Sequence, residues 1–220
     1  RIMKMKQYAV IGIGRFGLSV AKTLYSMGHD VLAVDKDHDR IQEIYHYVTH
    51  AVEADSTDED ALKALGLRNF DAVVITIGSD IQSSILTTLL CKEMGVKFIV
   101  GKAHNELHAK VLYKIGVDKV IFPERDMGMK LAHSLASYNI LDYIELASEY
   151  SLVELSAISE WEGKSLRHID MRRRFGLNVV AIKRGQDILI SPKGDDIINR
   201  DDILVVIGRN NDIRRLGNKT

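Results

Sequence analysis

The sequence predicts a doubly wound α/β domain followed by a smaller α+β domain, and three observations carry that reading. Over residues 8–122, short apolar runs alternate with amphipathic stretches and turn residues, the pattern of a parallel sheet covered by helices on both faces. Within it, the stretch Tyr8–Asp35 reads YAVIGIGRFGLSVAKTLYSMGHDVLAVD and sets a glycine motif between a strand and a helix. From Tyr150 the pattern changes to short strands separated by turn signals such as Arg184-Gly185-Gln186-Asp187 and Lys193-Gly194-Asp195-Asp196.

The first strand, Tyr8-Ala9-Val10-Ile11, runs straight into Gly12-Ile13-Gly14-Arg15-Phe16-Gly17. Phe16, Val20 and Leu24, with Ala21 and Met27 beside them, recur at the spacing of one helix face, and Gly28 closes that helix. Val31–Val34 is a second buried strand, with Asp35 at its end. In this spacing Gly12 turns the chain out of the strand, Gly14 lets a phosphate approach the backbone, and Gly17 lets the helix pack close to the sheet. The helix N-terminus offers unpaired N–H groups and partial positive charge to an anion. An acid about 20 positions on, here Asp35, is placed to accept hydrogen bonds from ribose hydroxyls, and its charge would repel a 2′-phosphate. The expected ligand is an adenosine nucleotide, and the expected fold of this domain is the Rossmann type.

The remaining elements follow in order. Arg40 to Tyr47 is an amphipathic helix with Ile41, Ile44 and Tyr45 on its apolar side. Thr49–Ala54 is the third strand, ending at Asp55. Ser56-Thr57-Asp58-Glu59 has the spacing of a capping box for a helix that carries Ala61, Leu62 and Leu65 and stops at Gly66. Asp71–Ile77 is a nearly all-apolar fourth strand, buried on both faces. Gly78-Ser79-Asp80 caps a long helix to Met94. Lys97–Val100, Asn105–Ile115 and Lys119–Phe122 are a strand, a helix and a sixth strand. Pro123-Glu124-Arg125-Asp126 opens one more helix, with Met127, Leu131, Leu135 and Tyr138 along one side, a surface suited to a second copy of the chain. The first domain is thus expected to span 1–138, a linker 139–149, and the second domain 150–220, with one helix at Ser165–Phe175.

Composition narrows the function. Thirty basic and thirty acidic side chains cancel, so no chain-wide field favours nucleic acid or an anionic membrane. The single cysteine, Cys91, excludes an internal disulfide and fits a reducing compartment. No apolar run approaches the ~20 residues that span a bilayer, and no signal sequence is expected before the first strand, so the expectation is a soluble cytoplasmic protein. His104 and His108 stand at i and i+4, but Asn105 occupies the place where a zinc protease carries its general base. An NAD-dependent oxidoreductase is the enzyme alternative. It needs a substrate pocket and an acid or base against the nicotinamide, and the second domain offers only His168 beside an arginine cluster. A transcriptional regulator would need a recognition helix on a basic face.

The order of parts resembles a known family. A GIGRFG Rossmann domain, a helix opening PERDMG, and a β-rich tail carrying IKRGQDILISP and DDILVVIG look like an RCK protein, a regulator of potassium conductance. The match is to the cytosolic gating subunits of Ktr-type potassium transporters, the KtrA/KtrC kind, and covers about Tyr8 to Arg215. The resemblance implies dimers assembling into an octameric ring on a membrane-embedded potassium channel subunit, peripheral to the inner face of the membrane. It implies ATP or ADP, with NAD(H) as a further candidate, at the Rossmann site, and cyclic di-AMP between two tail domains. The nucleotide residues it assigns are Gly12, Gly14, Arg15, Phe16, Gly17, Asp35, Asp55, Ser56, Ile77, Gly78, Lys102 and Glu124. Arg15 would reach a terminal phosphate across the dimer, and Glu124 would hold a cation (Mg2+, Ca2+ or Na+) beside the nucleotide. Leu166, Arg172, Asn178 and Pro192 match the cyclic di-AMP positions.

Overall fold

A computed structural model describes residues 5–136 and 139–217, so Arg1, Ile2 and Met3 and the expected stripe residue Tyr138 lie outside the described residues. The chain divides after Pro123 into two compact units.

The first unit alternates strand and helix throughout. Its strands are β1 (Gln7–Ile11), β2 (Asp30–Asp35), β3 (His50–Glu53), β4 (Ala72–Ile75), β5 (Ile99–Lys102) and β6 (Lys119–Ile121). Its helices are α1 (Arg15–Ser26), α2 (His38–Ile44), α3 (Glu59–Ala64), α4 (Ile81–Glu93) and α5 (Glu106–Ile115). All pairings are parallel, in the order β3-β2-β1-β4-β5-β6. Alternate residues of the same strands feed two cores, one on each face. Ala9, Ile11, Leu32, Val34, Val73 and Ile75 join Leu62 and Leu112, while Val10, Val31, Ala33 and Val74 join Ala21, Ile41 and Ile44. Burial on both faces is why these strands are continuous apolar runs rather than alternating ones. The strand order reverses between β1 and β4, which opens a crevice at their carboxyl ends.

Two local expectations are corrected here. The cap of α3 is Asp58, whose carboxylate accepts from Asp60 and Ala61 N–H, and not Ser56. The Ser56 hydroxyl is turned inward, 2.8 Å from that of Thr87, and is used up in the core. Tyr45, expected on the apolar side of its helix, is 59% exposed, because the chain tightens there into a 3-10 turn, Tyr45–Tyr47, that rotates it out.

The second unit is an antiparallel sheet with helices on one side of its core. It comprises α6 (Pro123–Leu135), β7 (Ile140–Ala147), β8 (Tyr150–Ser156), α7 (Leu166–Ile169), α8 (Met171–Phe175), β9 (Asn178–Arg184), β10 (Asp187–Ile190), β11 (Ile203–Arg209) and α9 (Asn210–Gly217). The sheet order is β10-β9-β11-β8-β7. Trp161, Val153, Leu155, Ile169, Met171, Leu177, Ile182, Leu204 and Val206 form its core.

Three sequence expectations change in this unit. The expected linker 139–149 is mostly strand β7, paired from Ile140 opposite Leu155 to Ala147 opposite Tyr150. The helix after Pro123, expected to complete the first domain, is tied to β7 instead. Lys130 Nζ lies 2.8 Å from Asp142 Oδ1, and the His133 and Tyr143 rings stack at 4.2 Å. The single helix 165–175 is two, broken where Asp170 takes the left-handed conformation at φ 50.

Candidate functional site

The glycine turn lies at the carboxyl end of β1, and its three glycines differ in what the protein itself requires of them. Gly12 has φ +95, and a Cβ there would stand 2.9 Å from the backbone nitrogen of Ile77. A Cβ on Gly17 would stand 2.0 Å from the Gly12 carbonyl oxygen and 2.6 Å from Thr76 Oγ1, so α1 rests on the turn with no room for a methyl group. Thr76 fastens the same point by donating its hydroxyl to the Gly12 oxygen at 2.5 Å. Gly14 differs from both. Its φ of −74 and ψ of −176 suit any residue, and a Cβ would meet nothing within 4 Å. The fold does not need glycine there, and open space lies above it.

The helix that begins at this turn is also left open. The helices α2, α3, α4 and α5 are each closed by a side chain, from Asp37, Asp58, Asp80 and Asn105 in turn. At α1 no side chain caps the N-terminus and no acid stands in the first turn. The first residue of α1 is Arg15, which is exposed and pairs with no acid among the described residues. Unpaired N–H groups and the positive end of the helix are therefore left for an anion, with an arginine in the first position of the helix.

Around this turn the structure gathers several of the expected residues. Ile77 and Gly78 follow β4, with Ile77 against Gly12. Lys102 ends β5; its ammonium lies 3.5 Å from where a Gly78 Cβ would be and 5.9 Å from the centre of the Phe16 ring. Asp35 ends β2 as expected but is only 7% exposed. It accepts from Ile13 N–H at 2.6 Å and Asp37 N–H at 2.9 Å, and Arg40 Nη1 stands 3.3 Å away. Asp55 is exposed past β3, and its carboxylate is held below the usual range by hydrogen bonds from the Thr57 hydroxyl and N–H. Ser56, one of the expected nucleotide residues, has its hydroxyl in the core, against that of Thr87. Glu124 belongs to the second unit, in the first turn of α6.

Sequence reasoning missed Arg40 and Thr76. Thr76 acts on Gly12 from 64 residues away and Arg40 on Asp35 from five residues on, and neither carries a spacing rule that would single it out. The signals set aside are placed as ordinary structure. Cys91 is buried, and burial pushes its thiol up to about 12, where it is inert. His108 is buried in α5, where its Nδ1 accepts the His104 N–H at 3.2 Å.

In the second unit the four expected ligand positions lie on separate segments. Leu166 opens α7, Arg172 lies in α8, Asn178 opens β9, and Pro192 follows Ser191, a residue with φ 53 just past β10. The arginine run of α8 resolves into distinct roles. Arg173 is 3.9 Å from Asp170 and Arg174 is 3.1 Å from Glu160, whereas Arg172 is exposed and pairs with no acid among the described residues.

Comparison with known proteins bears on both units. The TrkA-N domain model matches residues 8–123, and the TrkA-C domain model matches residues 151–220. The chain is 51% identical, over 96% of its length and 95% of the relative's, to Ktr system potassium uptake protein C of Bacillus subtilis (strain 168). It is 48% identical to Ktr system potassium uptake protein A of the same organism, covering 99% of this chain and 98% of that one. To the Vibrio alginolyticus Ktr system potassium uptake protein A it is 40% identical, with 92% of each covered. Among solved structures, the RCK domain of GsuK superposes with a TM-score of 0.70 at 17% identity, covering 99% of this chain and 48% of that one, a likeness of fold.

Proposed function

The chain belongs to the TrkA-N and TrkA-C family of Ktr potassium uptake proteins, and we propose that it is the nucleotide-sensing gating subunit of a potassium transporter. Its relatives are uptake proteins, not dehydrogenases, although they share the Rossmann fold of those enzymes. The ion path is assigned to a membrane-embedded partner subunit, on whose cytoplasmic face this chain sits. ATP or ADP, with NAD(H) as a further ligand, occupies the glycine turn. Its phosphates lie over Gly14 and the open end of α1, its ribose at Asp35, and Lys102 stands beside the phosphates. Arg15 reads the terminal phosphate from across a dimer, and Glu124 holds a cation there.

The second unit takes cyclic di-AMP between two chains, with Arg172 on its phosphates and Leu166, Asn178 and Pro192 around its bases. The supporting feature is the arginine left without an acid, among the described residues, in a run whose other two arginines are paired. Two outward apolar surfaces support assembly into a ring of dimers. On α6, Met127, Leu131 and Leu135 are 64%, 58% and 78% exposed. On α4 the usual order is inverted, with Ser84, Thr87 and Thr88 buried and Leu86 and Leu89 each 41% exposed.

The observation that carries the nucleotide reading is Gly14, a glycine that its own fold does not require. Gly14→Ser puts a side chain into the space assigned to phosphate, so ATP and ADP binding measured by calorimetry is expected to disappear while the melting temperature stays within a degree or two of the parent. A folded Gly14→Ser variant with undiminished affinity ends this reading.

A further inference from the structure

The ribose reading turns on Asp35, and the carboxylate of Asp35 is nearly covered. Oδ2 accepts the Ile13 N–H at 2.6 Å and faces Arg40 Nη1 at 3.3 Å, while Oδ1 accepts the Asp37 N–H at 2.9 Å. An ionised carboxylate offers about four acceptor positions, two on each oxygen. Oδ2 is therefore full, and one position remains on Oδ1. A ribose diol that bridges both oxygens needs one position on each, so one of the three present donors has to leave.

The three are not equally able to do so. Ile13 is buried, and its N–H is fixed by the glycine turn. Asp37 is the N-cap of α2, so its N–H is fixed by the helix start. Arg40 reaches Asp35 on a long side chain that is 51% exposed, against 6% for the Asp35 side chain. It also has somewhere to go, because its Nε already lies 3.6 Å from Asp37 Oδ2.

We propose that Arg40 is a displaceable gate on the ribose position and so a specificity-determining residue of the nucleotide site. Its guanidinium compensates a covered carboxylate that otherwise has only two backbone N–H partners, a costly state for a charge. When a ribose diol arrives, a hydroxyl takes over on Oδ2 and the guanidinium moves to Asp37. An adenosine ligand without the diol has no claim on Asp35 and leaves Arg40 in place. This inference rests on the nucleotide reading above.

The test is calorimetry on the full chain with ADP and with 2′,3′-dideoxy-ADP, comparing the parent with Arg40→Met, which keeps most of the apolar stem. Removing a half-exposed competitor is expected to tighten ADP about fivefold and to leave the dideoxy nucleotide unchanged. Arg40→Lys retains a charge but lacks the guanidinium's reach, and is expected to give a smaller gain for ADP alone. It carries the same comparison if Arg40→Met does not fold. Weaker or unchanged ADP binding in both variants overturns the gate, as does an equal gain for both nucleotides. A parent that binds ADP and the dideoxy form equally well also overturns it, since no hydroxyl would then be engaged at Asp35. A parent that binds neither nucleotide refutes the nucleotide reading itself, which is a separate outcome.

Discussion

The two units carry their candidate sites in opposite ways. In the first, the groups that would face a ligand are mostly backbone, presented by a turn that is held tight at Gly12 and Gly17 and left open at Gly14. In the second, the groups are side chains on α7, α8, β9 and the turn after β10, with no shared spacing along the chain. A backbone site is therefore stiff and intolerant of added atoms, whereas a side-chain site can lose one residue and keep its fold.

The largest effect is expected at Gly17. The atom that a new Cβ would strike at 2.0 Å is the Gly12 carbonyl oxygen, which cannot swing aside. Gly17→Ala should cost about 3 kcal/mol or more, since overpacking against backbone lies at the severe end of single substitutions. The counterpart in the second unit is Gly208, where a Cβ would lie 2.2 Å from Leu177 Cδ2, the end of a core side chain, which can shift where backbone cannot. Gly208→Ala should cost about 1–2 kcal/mol. Thermal melts by far-UV circular dichroism check the pair, and equal costs would break the contrast.

Next in size is the loss at Arg172. If cyclic di-AMP lies on a two-fold axis, Arg172→Ala removes two phosphate contacts per ligand, each a charge-assisted bond worth roughly 1.5–3 kcal/mol. The expected loss is about a hundredfold or more. Arg173 and Arg174 already face Asp170 and Glu160, so either alanine variant should cost less than about threefold. Calorimetry with cyclic di-AMP on the three full-length variants decides it. Similar losses at all three positions would mean a diffuse positive surface and not a site. Nucleotide binding at the first unit should be the same in all of them.

The same contrast governs what could be read without a structure. The first unit's strands were legible because burial on both faces writes continuous apolar runs such as Ala72–Ile75, and its turn because the backbone requires glycine at Gly12 and Gly17, and Gly14, which the fold does not require, completes the spacing. Strand β7 was not legible, since Leu141, Ile144 and Leu146 are 47%, 49% and 52% exposed on an edge strand with two irregularities in its pairing. Apolar residues on both faces of a partly covered strand erase the alternation that would mark it. The break at Asp170 was hidden for another reason: an aspartate in the left-handed conformation looks, in sequence, like any helical aspartate. The ribose acid was found, but the arginine covering it was not, because their pairing depends on the turn between β2 and α2.

The smallest expected effect is a difference in acid tolerance between the units, and it can be read in one protein. His108 is 2% exposed, its Nδ1 accepts the His104 N–H, and its Nε2 has no partner among the described residues. Burial, with His104 nearby, pushes its pKa below the ordinary 6.5. The unfolded chain therefore takes up a proton there from about pH 6.5 downward while the folded chain resists. The first unit loses stability as the pH falls below 6.5, and the loss stops growing once the pH passes the lower folded value. His38 works the other way, raised by the hydrogen bond its ring donates to Glu53, but that pair is exposed on both sides and screened by solvent. In the second unit Asp202 is 1% exposed and receives Arg184 Nε at 2.8 Å, Arg184 Nη2 at 2.7 Å and Asn199 N–H at 2.8 Å. These bonds hold its pKa below 3.8, so its stabilisation is complete above that value and is lost only as the pH falls through the lower folded one. Between pH 6.5 and 4 the first unit should weaken while the second holds. Trp161, the single tryptophan, is buried in the second unit and reports on it alone. On going from pH 7.5 to 5.5, the far-UV transition should move to lower temperature more than the Trp161 fluorescence transition does, and His108→Gln should abolish the gap. A fluorescence transition that moves as far or farther would show that the second unit is the acid-labile one, and the contrast would have to be drawn the other way.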